Sequence, residues 1–148
     1  MSEQELKAFI DVVVRYFQEV AGEQAKMGIP TVKTGSAILL GHTGIIGISG
    51  AKRGAIYVTA DRAMLAELAS IILGTTDVHD DDVLDMVGEL SNTIAGNVRN
   101  VFGNTFMISV PIIVKGTPED ILMKLKPPIF TIPIRWRSHT CYLTVGLE

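Results

Sequence analysis

Glu89 and Asn92 stand three residues apart in the segment Asp85-Met-Val-Gly-Glu89-Leu-Ser-Asn92. In a helix, side chains at that spacing are neighbours, so a carboxylate and a carboxamide would share one patch. A projection at about 100° per residue puts Asp85, Glu89, Asn92 and Gly96 in one narrow sector. That sector lies nearly opposite an apolar stripe of Val83, Val87, Leu90, Ile94 and Val98, with Gly88 at its edge. Glycine inside a helix costs roughly 1 kcal/mol against alanine, and the asparagine amide competes for backbone hydrogen bonds. Two readings stay open. Either this is a flat polar face that another molecule approaches closely, meeting a charge and an amide there. Or it is an ordinary solvated face whose glycines pack against a neighbouring element.

Other chemistries have weaker support. Gly41, Gly44, Gly47 and Gly50 have the wrong spacing for a nucleotide fingerprint and lead into a strand instead of a helix, so turns and close sheet packing explain them better. The run Asp77-Val-His79-Asp80-Asp81-Asp82 lacks the glycine and terminal glutamate of a calcium loop. Acidic residues at a helix start suit the helix dipole, and that accounts for it. His42 and His139 have no partner at ligand spacing. The single Cys141 reads as strand packing, and no serine nucleophile elbow is present. No metal site is expected.

The elements that would carry Glu89 and Asn92 follow from periodicity. Ser2 and Glu5 form a capping box for a first helix with Leu6, Ile10, Val13, Phe17 and Val20 at helical spacing, ended by Gly22. Segments 37–40, 44–49 and 55–59 read as strands, the last two joined by a hairpin over Gly50 to Gly54. Asp61 caps a second helix with Leu65, Leu68, Ala69 and Ile72 on its stripe and Gly74 at its end. The third helix opens at Asp81-Asp82, carries its stripe through Val101, and stops at Gly103-Asn104. Strands are expected at 105–110, 112–114, 129–135 and 141–145, with Pro111 and Pro133 marking edges or bulges. The expected fold class is α+β: an antiparallel sheet with three main helices.

Composition bounds the rest. The chain has 148 residues with 13 Lys and Arg against 16 Asp and Glu, a net charge of −3. That balance argues against neutralising nucleic-acid phosphates. At 47% hydrophobic, the length suits one domain, 1–148, with its own core. One cysteine forms no internal disulfide. No apolar run approaches a membrane span, and the N-terminus has no signal-peptide shape. A cytoplasmic protein is expected.

The segment from Asp85 to Asn92 resembles the D/S-x-x-x-E-x-x-N signature of the CheC/CheX/FliY family, which dephosphorylates response regulators in bacterial chemotaxis. The runs Gly44 to Gly50, Gly54 to Val58, Phe9 to Phe17 and Val110 to Gly116 are similar to CheX counterparts, so the likeness covers nearly the whole chain. Only one copy of the signature is present, as in the CheX branch. The first helix has Asp11 but lacks the following Glu and Asn. The resemblance implies a phosphatase acting on the aspartyl phosphate of a CheY-type receiver, with Mg²⁺ on that partner and no cofactor on this chain. It implies that Asn92 orients the attacking water, that Glu89 docks a receiver lysine, and that Asp85 lies at the rim. Gly88 and Gly96 would then let the receiver approach. Pro111 is the candidate for the family's downstream proline, with no role assigned. A homodimer joined through the C-terminal strands is also implied. The alternative is a non-catalytic adaptor that binds a response regulator or a flagellar switch component.

Overall fold

Ser2 starts the chain's first helix by reciprocal capping. Its hydroxyl accepts the Glu5 N–H, and its own N–H donates to the Glu5 carboxylate at 2.7 Å. In this computed structural model, which describes all 148 residues, the helix α1 spans Glu3–Ala21. Two short strands follow, β1 (Lys26–Met27) and β2 (Thr31–Val32), then the hairpin β3 (His42–Gly50) and β4 (Gly54–Ala60). Next come α2 (Arg62–Leu73) and α3 (Asp80–Phe102). The strands β5 (Phe106–Ile108), β6 (Ile112–Lys115), β7 (Phe130–Trp136) and β8 (His139–Leu147) complete the fold. The fold is α+β, and every strand pair is antiparallel.

The sheet runs β1-β7-β8-β4-β3-β5, with β2 also on β7 and β6 also on β3. The C-terminal strand β8 is therefore central, paired with β7 and β4. Alternation sends Ile56, Val58, Leu143 and Val145 toward the helices, where they join Val83, Val87, Leu90, Ile94 and Val98 of α3 in one core. The other sheet face buries Thr43, Tyr57, Thr59 and Thr144. Thr43 and Thr59 share a hydrogen bond at 3.0 Å, as do Thr131 and Thr144 at 3.1 Å. Leu125 and Ile129 cross this face beside Gly146.

Several expectations change. Residues 37–40 form no strand: Ala37 donates its N–H to Asp120 and Leu40 to Thr59 Oγ1, so side chains hold this stretch as a loop. On α1 the buried centre is Phe9, Val12, Val13, Tyr16 and Phe17, while Leu6, Ile10 and Val20 lie at the margin. Phe9 packs against Phe102 and Phe17 against Trp136, which rotates the helix toward its aromatic side. Ile72 and Val101 fall near helix ends with nothing above them and are exposed. Pro133 lies inside β7, but its carbonyl accepts from Gly28 on the outer side, between β1 and β2. In a strand, N–H and C=O of one residue point the same way, so its missing donor falls in that gap.

Candidate functional site

The third helix is held against the sheet by a close approach. A Cβ on Gly44 would overlap Ser91 Oγ, and Val87 O lies 3.0 Å from the same point. Only glycine in β3 lets α3 settle there. The Ser91 hydroxyl, fully buried, donates to Val87 O at 2.7 Å and leaves no orphan. With the Val83–Val98 stripe buried below, the opposite face must point outward.

Asp85, Glu89 and Asn92 are all exposed there, in consecutive turns. None of the three is in an ion pair. The one side-chain bond to Glu89 is from the Thr93 hydroxyl, at 3.5 Å. Glu89 and Asn92 thus present a carboxylate with no ion-pair partner and an amide with no side-chain bond, side by side. Gly96 is half-buried, and open space lies where its Cβ would be. Gly88 is buried: Ile113 Cδ1 of β6 sits 3.0 Å from its Cβ position, so its small size makes room for the chain's own edge strand. It still lines a cleft floor beside Glu89 and Asn92.

Three shallow clefts flank this face. One of about 300 Å³ runs between α2 and α3, with the exposed Ile72 and Leu73 opposite Asp85 and Glu89. A second, of about 460 Å³, separates Glu89 and Asn92 from Ser109, Val110 and Pro111. The third, of about 550 Å³, runs from Asn92 along Gly96, Asn97 and Asn100 toward Met107. Asn92 stands where the last two meet. Pro111 is thus brought beside the signature residues, although it is 19 positions away in sequence.

Sequence reasoning missed what lies around this face. Arg99 Nε donates to Phe106 O at 2.9 Å and ties α3 to the β5 edge. Tyr16 of α1 is buried with its hydroxyl unpartnered; burial, and then the charge of Glu89, hold its pKa above the ordinary phenol range. A hydroxyl at one end of an apolar helix stripe gives no local signal of its neighbour. Elsewhere, His139 does gain a partner, Glu67 of α2, which also receives Arg137 Nη1 at 2.8 Å. Cys141 is fully buried, and burial pushes its thiol up to about 12. No three His, Cys, Asp or Glu side chains converge as a metal-holding group, and no helix is long and apolar enough to cross a membrane.

The sequence pattern of the family described as chemotaxis phosphatase CheX matches residues 42–135, which include the whole of α3. The chain belongs to the CheX family. Its sequence and fold are similar to a putative chemotaxis protein from Desulfovibrio vulgaris Hildenborough: 31% identity over 98% of this chain and 97% of that one, with a TM-score of 0.84. A chemotaxis protein CheX from Desulfovibrio desulfuricans matches at 28% identity over 98% and 99%, with a TM-score of 0.86. The fold also matches CheX in a CheX–CheY–BeF₃–Mg²⁺ complex from Borrelia burgdorferi, at 22% identity over 97% of each chain and a TM-score of 0.77. No curated relative matches the sequence. The chain therefore has the fold and family of a chemotaxis phosphatase.

Proposed function

We propose that this CheX-family protein hydrolyses the aspartyl phosphate of a response-regulator receiver domain, with Asn92 positioning the attacking water and Glu89 docking a receiver lysine. The observation that carries the reading is the pair itself: a carboxylate and a carboxamide, adjacent and exposed on α3, with no cation within the chain paired to the carboxylate. An acyl phosphate is already activated, and its hydrolysis needs mainly position and charge stabilisation. The amide of Asn92 offers an acceptor for a water proton and donors for a phosphoryl oxygen. It orients the water and takes no proton. Water oxygen bonds to phosphorus, the bond to the aspartyl oxygen breaks, and the water's proton leaves with the phosphate product or to solvent.

Glu89 supplies register. A charge-assisted pair with a lysine ammonium would lock α3 onto the receiver so that Asn92 enters the phosphate pocket. Asp85 stands at the rim of that contact, one turn before Glu89. Mg²⁺ belongs to the receiver in this proposal and neutralises the phosphoryl oxygens there. The Borrelia complex supports the reading, because CheX and CheY are together in it with BeF₃, a stand-in for the phosphoryl group, and Mg²⁺.

The test is phosphate loss from a phosphorylated CheY-type receiver with Mg²⁺, followed with the wild type and Asn92→Ala. Removing one preorganised group of this kind costs about a hundredfold or more in rate, while binding of the receiver persists. Glu89→Ala weakens binding and rate together. Wild-type rates in Asn92→Ala would refute the mechanism. Binding without any wild-type acceleration would make the protein an adaptor.

A further inference from the structure

We propose that the cleft between α3 and the edge of β5 receives an extended loop of the phosphorylated receiver, read through its backbone by Ile108, Asn97 and Asn100. The inference rests on the proposed function and adds the surface that selects the partner.

The β5 edge is nearly closed. Ser109 donates its N–H to Gly47 O, and Ala51 donates to Thr105 O, so odd-numbered residues face β3. Antiparallel alternation then turns the N–H and C=O of Phe106 and Ile108 away from β3. Phe106 is already used, with its N–H given to Gly103 O and its carbonyl taken by Arg99. Beyond Ile108, the Ser109 hydroxyl donates to Val110 O, and Pro111 has no N–H. One rung remains. The N–H and C=O of Ile108 have no partner in the chain and face the clefts that Asn92 shares.

Across that rung stand Asn97 and Asn100, whose amides bond to nothing in the chain, while the Arg99 guanidinium is engaged. Carboxamides donate and accept at once, which matches a peptide backbone better than a charged group. Open space above Gly96 leaves room for a main chain to pass. A second copy of this chain pairing edge to edge along β5 would need several consecutive free rungs, and the blocks at Phe106 and Pro111 deny them there. A short loop needs one or two. Continuity with Asn92 makes the receiver that carries the phosphate the occupant.

Two readouts test this. In the Asn97→Ala, Asn100→Ala double variant, losing two amide bonds raises the half-saturating receiver concentration about tenfold, with the rate at saturation within about twofold. Hydrogen exchange at the Ile108 amide slows when a receiver loaded with beryllofluoride and Mg²⁺ is added, in wild type and in Asn92→Ala alike. The exchange readout needs no turnover, so failure of the phosphatase reading and failure of this one are distinguishable. Unchanged half-saturation together with unchanged exchange would overturn the proposal. Slowing that follows the concentration of this chain alone would also overturn it, in favour of a second copy.

Discussion

At the level of single residues, Glu89 and Asn92 differ in what they can lose. In the proposed mechanism Asn92 acts through geometry, and salt should leave it untouched. Glu89, in the same proposal, acts through charge, and its exposed position makes screening strong. Glu89→Gln keeps the shape and removes the charge, so its half-saturating receiver concentration should exceed that of wild type at low salt. The two values should converge as ionic strength rises to about 0.5 M, where the Debye length falls below about 5 Å. Titrating the receiver at two salt concentrations checks this; a gap that persists at high salt would mean Glu89 docks by shape. Asp85, Glu89, Asn92 and Gly96 were legible because a regular helix obeys its projection. Gly88 was only half legible. It sits where the sector turns inward, and no local signal shows Ile113 of β6 waiting there.

At the level of elements, the helices read well because their ends are chemically marked. Ser2, Asp61, Gly22 and Gly74 cap where they should, and the last two adopt the left-handed conformation at φ 69°. The strands of two residues, β1 and β2, carry no pattern of their own and exist only because β7 offers an edge. The clefts beside α3 were invisible for the same reason: nothing local to α3 specifies that β5 and β6 lie alongside. The glycines give a paired prediction. Gly96→Ala meets no atom and removes helix entropy cost, so it should stabilise by roughly 0.5–1 kcal/mol. Gly44→Ala drives a methyl into Ser91 and the α3 backbone and should destabilise by about 1–3 kcal/mol. Urea unfolding of the two variants checks the signs, and equal signs would contradict the packing of α3 on β3.

Across the whole molecule, charged contacts join elements that are distant in sequence. Arg137, at the β7–β8 turn, bonds Glu23 after α1 and Glu67 on α2, and His139 bonds Glu67 as well. The bond from Arg137, and next that from His139, hold the Glu67 carboxyl below its ordinary 4.5. A depressed carboxyl stabilises the fold above its unfolded pKa, and that contribution is lost as pH falls through the folded value. Wild type should therefore lose melting temperature as pH drops below about 4.5, and Glu67→Gln should lose less over the same window. Parallel curves would show the network to be idle. The sheet order has a further consequence for synthesis. The strand β8 is translated after every other strand, yet it fills the middle of the sheet between β4 and β7. While a nascent chain lacks residues 139–147, both neighbours present bare edges, and the sheet closes only when that segment leaves the ribosome and inserts between them.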